Sequence, residues 1–545
     1  MGISDDGPYI VMAQRLANTG HFAYDGWAAP MIGWQLYFGA LFIKIFGSSF
    51  TAARMSTLLV AIVLAFTLQR TFILAGVREY NATLATLALV LSPLYLMLSV
   101  TFMTDIFGLF AIVICLYGSL RALLPSTARA TIAWLCFAVG TNAMLGTARQ
   151  IAWLGTLVMV PSALWLLRAQ RRVFLAGSAL TIAGALFILV CLQWLKLQPY
   201  VVAEHLIPAS YSVFQGLWML TFAFVDMSFF LLAIVVLFFP QVFKVRAGAM
   251  ILLLGLFMAY CFLALHPSHL RGRFPLEPIF SVWGNATGIF QFSFIRGDPP
   301  VFFGTTARLL LTIVSFGGLA GLTVSFFRNP HGARTVSSHA VLSWSRLGLL
   351  LGPFAIAYSL LLFPRAMSTG VDDRYLLPLL VVALLCLVRY YQERIQPSIP
   401  AGGVLAVLIT AFYGIVVVHN SFAFYRARVD LAAELRYAGI PDTAFDNGWE
   451  YNLPIELQYA SYLNDPHLKT AKNGYIPAPP PPAGACIAAM SGITPHIHSI
   501  YGVSFDPNAC YGPAPFAPKR FSRWPYRTPG TIYVVHYLPP AAPSL

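Results

Sequence analysis

Charged residues are what this sequence lacks most. Only 10% of its 545 residues are Asp, Glu, Lys or Arg, against about 25% in a soluble domain. Repeated apolar runs occupy the chain instead, and several reach the roughly 20 residues that a helix needs to cross a bilayer. This composition excludes an ordinary soluble protein and predicts an all-α polytopic membrane protein. The net charge of +14 requires no nucleic acid, because cytoplasmic loops of membrane proteins collect Lys and Arg.

Several site signatures are also missing. The seven cysteines form no cluster with histidines at structural zinc spacing, and no Gly-rich loop offers a nucleotide phosphate site. Glu204, His205, His266 and His269 lack ligand spacing, so we predict no certain cofactor and leave only a divalent cation open. The chain shows no signal peptide, and its acidic start leads us to expect a further transmembrane helix upstream.

Hydropathy predicts about twelve membrane spans. Their expected bounds are 56–75, 83–100, 103–123, 131–147, 149–168, 173–195, 217–239, 247–265, 303–327, 343–363, 375–391 and 403–422. If Asp5 lies outside, every inside loop becomes basic, as the positive-inside rule requires. Those loops carry Arg70 and Arg78; Arg121 and Arg129; Arg168, Arg171 and Arg172; Lys244 and Arg246; Arg328, Arg334 and Arg346; and Arg389 and Arg394.

The predicted outside segments hold the remaining polar groups. We expect interfacial helices over the aromatic stretch 21–47 and a short helix within 266–300. The pattern divides the chain into a first outer loop (1–55), a transmembrane domain (56–422) and an extracytoplasmic C-terminal region (423–545). That last region is predicted to hold a helix at 430–438, a stiff proline spacer at 477–482, a strand at 531–538 and a structural disulfide between Cys486 and Cys510.

Acidic residues supply the first candidate site. Asp5 and Asp6 stand side by side before an amphipathic segment, where one could be a general base while the other caps the helix or binds a partner. Helix capping by both residues is the alternative. Asp105 precedes an unbroken apolar run, where it either caps a helix or faces Asp5 across the outer mouth.

Arginines supply the second candidate site. Arg149 lies at a tight outer turn, and Arg374 opens a later span on the same predicted side. A guanidinium suits phosphate because it stays charged and donates hydrogen bonds in pairs. Snorkelling to the interface or pairing with a neighbouring Asp is the alternative. Arg271 and Arg273 are further candidates and more typical of surface residues.

The order of these features resembles a known family. Asp5-Asp6-Gly7-Pro8-Tyr9 is similar to the opening of the first outer loop in GT-C glycosyltransferases, above all the protein mannosyltransferase and aminoarabinose transferase group. Thr104-Asp105 is similar to its second acidic site, and Arg374-Tyr375-Leu376-Leu377-Pro378 to its late Arg-Tyr element. The likeness covers residues 4–125 and 365–380. It departs at Ala29-Pro30-Met31, where the family often has His-Pro-Pro.

The resemblance implies a GT-C-like bundle and a function. A sugar would move from a polyprenyl-phosphate carrier to an acceptor hydroxyl on a glycan, lipid or protein at the outer face, with inversion. Asp5 or Asp6 would be the base, with Asp105 in support, and the leaving phosphate would meet Arg149 and Arg374. Tyr9 and Tyr375 belong to the substrate-binding motifs.

Rival functions fit the same composition. One is a transporter or lipid flippase, which usually shows broken helices near the bilayer centre and paired halves. The other is a polysaccharide polymerase or ligase. We favour the transferase, placed in a cell membrane, most simply a bacterial inner membrane, with its site and C-terminus outside.

Overall fold

Long apolar helices dominate the structure, a computed structural model that describes residues 1–124, 127–202, 211–244, 295–328, 342–368, 371–468, 474–478, 480 and 484–539. Within those ranges the α-helices are α1 (Asp6–Thr19), α2 (Gly33–Phe46), α3 (Phe50–Leu74), α4 (Glu79–Val90), α5 (Pro93–Ser99), α6 (Thr104–Ala122), α7 (Ala128–Leu145), α8 (Val160–Leu166), α9 (Arg171–Leu197), α10 (Val213–Phe230), α11 (Leu232–Val235), α12 (Thr305–Arg328), α13 (Trp344–Ala366), α14 (Leu377–Arg394), α15 (Ala401–Tyr437) and α16 (Trp449–Tyr459).

Eight helices of the described ranges are long and apolar enough to cross a membrane, and a bent pair can make a ninth. They are α3, α6, α7, α9, α12, α13, α14 and α15. The multi-pass expectation is confirmed, but the count of twelve is not. The expected span 247–265 and the helix within 266–300 fall mostly or wholly outside the described residues.

Three expected spans are broken, and one of them, 217–239, divides at Leu231 between α10 and α11. The apolar run 83–100 splits at Ser92-Pro93 into α4 and α5, which meet at 69°. Ser92 accepts a hydrogen bond from the Tyr95 amide and so caps α5, while Pro93 lacks the amide that would continue α4. The run 149–168 becomes a 3₁₀ turn at Gln150–Trp153, a π-turn at Gly155–Met159 and the short helix α8.

The first 47 residues form two helices joined by an irregular segment. Residues 21–32 contain no helix, so the expected helices over 21–47 are wrong for that half. α1 ends at Gly20, whose φ of 72° suits glycine. Gly39 of α2 faces the ring of Phe102, and this close approach lets α2 pack against the segment before α6.

α15 connects the membrane region to the C-terminal region (438–539) as one uninterrupted helix of 37 residues. The short helix expected at 430–438 is its last part. The C-terminal region holds α16 and a four-stranded sheet of β1 (Phe445–Asp446), β2 (Tyr501–Ser504), β3 (Lys519–Arg523) and β4 (Tyr526–His536), in the order β1-β2-β4-β3. β1 pairs parallel to β2, and the other neighbours are antiparallel.

Two features hold the C-terminal region together. The Cys486–Cys510 disulfide is formed, and the expected strand near 531–538 is present as β4. Arg428 of α15 pairs with Glu450 at 3.3 Å, and both side chains are fully buried. Tyr425 donates to the same carboxylate at 2.9 Å. Charged groups are rarely buried without such partners, so this network fixes α15 against α16.

Candidate functional site

Three of the predicted site residues, Asp105, Arg149 and Arg374, line one small cavity. Its wall comes from four parts of the chain, the start of α6, the turn before α8, α13 and the start of α14. The lining residues are Asp105, Gly108, Leu109, Ile112, Arg149, Ile151, Ala152, Tyr358, Arg374, Leu377 and Pro378. Residues separated by up to 273 positions in the sequence therefore share one wall. Charged groups from distant parts of the chain therefore converge on one mostly apolar cavity.

Asp5 lies at the N-terminus of α1 and faces α14. Its side chain does not cap α1; instead, its Oδ2 accepts a hydrogen bond from the Arg374 guanidinium at 2.8 Å. Burial raises the pKa of the Asp5 carboxyl, and the Arg374 charge opposes that rise. A carboxylate with a raised pKa is a stronger base than an exposed one.

Asp6 points the other way. Both of its oxygens are engaged, by the Ile3 amide at 2.6 Å, the Phe102 amide at 3.2 Å and the Arg54 guanidinium at 2.8 Å. The side chain is fully buried. Asp6 therefore joins the N-terminal segment to α3 and to the start of α6. The structure thus separates the acidic pair into one residue at the site and one that holds the scaffold.

Asp105 and Arg149 form the second charged pair at the cavity. Asp105 lies in the first turn of α6 without capping it, since Met103 occupies the N-cap position. Its carboxylate accepts a hydrogen bond from Arg149. Arg149 therefore lines the cavity, where a phosphate ligand is expected, and it is also paired with an Asp, which was the alternative for this residue. Asp105 is 4% exposed.

Tyr375 lies at the centre of the arginines. The guanidinium carbon of Arg149 is 4.7 Å from the centre of its ring, that of Arg365 is 4.7 Å away, and that of Arg374 is 5.3 Å away. A ring face attracts such cations, so Tyr375 gathers three arginines at one point. Tyr358 of α13 donates its hydroxyl to the Tyr375 carbonyl at 2.8 Å, which fixes the turn that carries Arg374.

Tyr9 completes the cluster from α1, one turn after Asp5. Its ring is buried, and burial, followed by the Asp5 charge, raises the pKa of its hydroxyl well above the usual value. Tyr9 therefore stays neutral and can donate a hydrogen bond.

The metal and surface candidates from the sequence have a different standing. Among the described residues, no group of three or more His, Cys, Asp or Glu side chains could hold a metal ion. Glu204, His205, His266, His269, Arg271 and Arg273 fall outside the described residues.

Comparison with known proteins gives structural likenesses alone. No protein-family model and no curated protein sequence matches the chain. Among solved structures, ArnT from Cupriavidus metallidurans in the apo state is similar with a TM-score of 0.37 and 16% identity, over 84% of this chain and 80% of that one. The same protein bound to undecaprenyl phosphate gives a TM-score of 0.34 and 14% identity, over 80% of this chain and 76% of that one. TM-scores below 0.5 do not establish a shared fold.

Sequence reasoning missed three residues that shape this cluster. Arg54 interrupts the first turn of an apolar span, and a charge in such a position is itself a signal. Tyr358 is the one tyrosine in the apolar helix α13. Arg365 was part of a predicted outer segment but was given no role.

Proposed function

We propose that this protein is a membrane glycosyltransferase that moves a sugar from a polyprenyl-phosphate carrier to an acceptor hydroxyl. The observation that carries the proposal is the pairing of a partly buried carboxylate, Asp5, with Arg374 at the wall of a cavity that also presents Asp105 and Arg149. Such a transfer releases a proton from the acceptor hydroxyl and builds negative charge on the phosphate. A base can take the proton, and fixed cations can stabilise the phosphate. The sequence likeness to GT-C glycosyltransferases supports the same reaction.

Asp5 is the proposed base. It takes the proton of the acceptor hydroxyl while that oxygen attacks the anomeric carbon. The bond between this carbon and the phosphate oxygen breaks, and its electron pair stays on the phosphate. A single displacement of this kind inverts the anomeric centre. Tyr9 and Tyr375 are the proposed aromatic contacts, and Asp105 orients Arg149.

Arg374 and Arg149 are the proposed phosphate ligands. The leaving phosphate gains negative charge as the sugar departs, and fixed cations lower the energy of that transition state. Each of these arginines is paired with a carboxylate in the structure, Arg374 with Asp5 and Asp372 and Arg149 with Asp105. The donor phosphate therefore competes with Asp5 for Arg374. Once displaced, the carboxylate loses its closest cation and becomes a stronger base.

The outer face of a cell membrane is the proposed location, on the basis of the basic loops at the opposite ends of the spans. The proposed donor side therefore needs no nucleotide. A divalent cation is not part of the proposed reaction.

Transfer into an acceptor provides the test. Membranes containing the protein are incubated with radiolabelled polyprenyl-phosphate hexoses and pentoses, and label is measured in lipid, glycan and protein fractions. We expect transfer with release of polyprenyl phosphate. Asp5→Asn should lower the rate about 10²- to 10⁴-fold, the usual contribution of a general base, and the acid limb of the pH profile should lie above the ordinary range of an Asp.

Matched variants separate catalysis from folding. Asp430→Asn alters an exposed carboxylate of α15 and should leave the rate unchanged. Asp6→Asn should lower the yield of folded protein, with the rate per folded molecule much less affected than in Asp5→Asn. Full turnover by Asp5→Asn would refute the assignment of the base. Movement of intact sugar-lipid across the membrane without release of polyprenyl phosphate would identify a flippase instead.

A further inference from the structure

The β3–β4 hairpin carries aromatic rings and cations at its tip. Trp524 is 46% exposed and Tyr526 is 47% exposed, although such large rings are commonly buried or placed at interfaces. The exposed run continues from Trp524 through Pro529. Nothing in the proposed transfer reaction uses this hairpin.

The tip lies against a membrane-spanning helix. The Trp524 amide donates to the Asn420 side-chain oxygen at 2.8 Å, and the Asn420 amide nitrogen donates back to the Trp524 carbonyl at 3.0 Å. The Trp524 ring then reaches along α15 to Phe412, with ring centres 5.1 Å apart. Phe412 is itself 47% exposed on the surface of that span.

Helix geometry places this contact at the membrane boundary. α15 starts at Ala401 and contains no charged residue until Arg426. A rise of about 1.5 Å per residue takes about 20 residues to cross a hydrocarbon core of roughly 30 Å. The core therefore ends near Asn420, and Phe412 lies roughly 12 Å below that level. Trp524, whose backbone is bonded to Asn420 and whose ring contacts Phe412, therefore lies inside the boundary.

Neighbouring aromatic residues extend the same band. Tyr526 packs on Phe302 with ring centres 5.3 Å apart and donates its hydroxyl to the Phe302 carbonyl at 2.7 Å. Phe302 and Phe303 both pack on Tyr413 of α15. Trp and Tyr are enriched at the level where a bilayer meets water.

Cations surround the aromatic tip. The stretch Lys519–Arg527 contains four basic residues and no acidic one. Lys519 is paired with Glu434, and Arg523 donates to the Val301 carbonyl at 2.7 Å. Arg520 and Arg527 are exposed, and no carboxylate among the described residues pairs with either. Basic residues at a membrane surface attract anionic lipids.

We propose that the β3–β4 hairpin is a membrane-docking element, in which Trp524 and Tyr526 enter the bilayer interface while Arg520 and Arg527 bind the phosphate groups of anionic phospholipids. The membrane is the occupant because the hairpin surface is continuous with the lipid-facing side of α15. Docking there fixes the C-terminal region to the bilayer independently of any substrate.

Spin labels measure the depth of the tip. The full-length protein, with its non-disulfide cysteines replaced by Ser, is labelled at Trp524→Cys, or in a second variant at Thr528→Cys, which keeps Trp524. Each is placed in nanodiscs of phosphatidylcholine alone or with 30% phosphatidylglycerol. A label at Tyr459→Cys, exposed on α16, is the control. We expect oxygen to relax the label at 524 more strongly than a water-soluble nickel chelate, with the reverse at 459.

The cationic half has its own test. Depth at position 528 should increase with phosphatidylglycerol and decrease again in 0.5 M salt, about the condition at which surface charges are screened. Arg520→Gln with Arg527→Gln should remove that lipid dependence. Equal access of the nickel chelate to 524, 528 and 459 would overturn docking altogether. If the tip is immersed but its depth changes neither with lipid charge nor with the two substitutions, the recognition of anionic headgroups would be overturned.

Discussion

Asp25 is a buried carboxyl whose ionisation should control stability. It lies in the irregular segment between α1 and α2 and is fully buried. One oxygen accepts the Trp27 amide at 3.0 Å, and the other has no hydrogen-bond partner among the described residues. The backbone carbonyl of Asp25 accepts a hydrogen bond from the Leu463 amide at 2.7 Å. Burial raises its pKa from 3.8 to about 7, opposed chiefly by the Trp27 hydrogen bond and by the charge of Arg15 on α1.

The sign of the pH effect follows from this shift. Because the folded-state pKa lies above the unfolded one, the stability associated with protonated Asp25 is complete below pH 3.8 and is lost as the pH rises to about 7. At about 1.4 kcal/mol for each pH unit, the full loss is about 4 kcal/mol. Between pH 5 and pH 8 the loss amounts to about 2.5 kcal/mol.

Asp25→Asn removes this titration. Denaturant unfolding in detergent micelles, followed by tryptophan fluorescence at pH 5 and pH 8, should show a smaller decrease in the free energy of unfolding for the variant than for the wild type, by about 2.5 kcal/mol. Trp27 and Trp449, whose ring centres are 5.4 Å apart, report on this region. Asp430→Asn, on the exposed side of α15, should behave as the wild type. An unchanged pH dependence in Asp25→Asn would refute the reasoning.

Three further predictions concern the scaffold. Arg428→Met should lower the free energy of unfolding by about 3–5 kcal/mol, because it removes one partner of the buried ion pair with Glu450; the same titration at pH 8 measures this. Cys486→Ser should cost about 3 kcal/mol, the value for a loop of 24 residues, and reducing agent should destabilise the wild type equally but not the variant. Gly39→Ala should cost about 1–3 kcal/mol, seen as a lower unfolding midpoint, because its methyl group would overlap the ring of Phe102.

Local hydropathy was enough to predict most of the membrane helices. The runs 103–123 and 173–195 correspond to α6 and α9 within two residues, and the run 56–75 corresponds to α3, which begins six residues earlier than predicted. This works because a membrane helix satisfies its backbone hydrogen bonds within the segment itself. Ser92-Pro93 has the pattern of an N-cap followed by proline, which favours a new helix start at this point. The apolar run around it nevertheless favoured a continuous helix.

Long-range pairing was not predictable from local pattern. Sequence alone placed Asp5, Asp105, Arg149 and Arg374 on one side, but it could not say which carboxylate faces which arginine. That outcome depends on packing between segments hundreds of residues apart. The burial of Asp25 could not be predicted for the same reason, because it requires the C-terminal region to cover this residue.

The separation between Asp5 and Arg374 has a consequence for biosynthesis. The two residues are 369 positions apart, and chains grow at about 5–20 residues per second. Asp5 is therefore synthesised roughly 20 to 70 seconds before Arg374. A nascent chain interrupted before α14 has α1 but no closed cavity. The ion pair thus cannot form until the chain has grown past Arg374, and the cavity wall is complete only when the penultimate described span has been inserted.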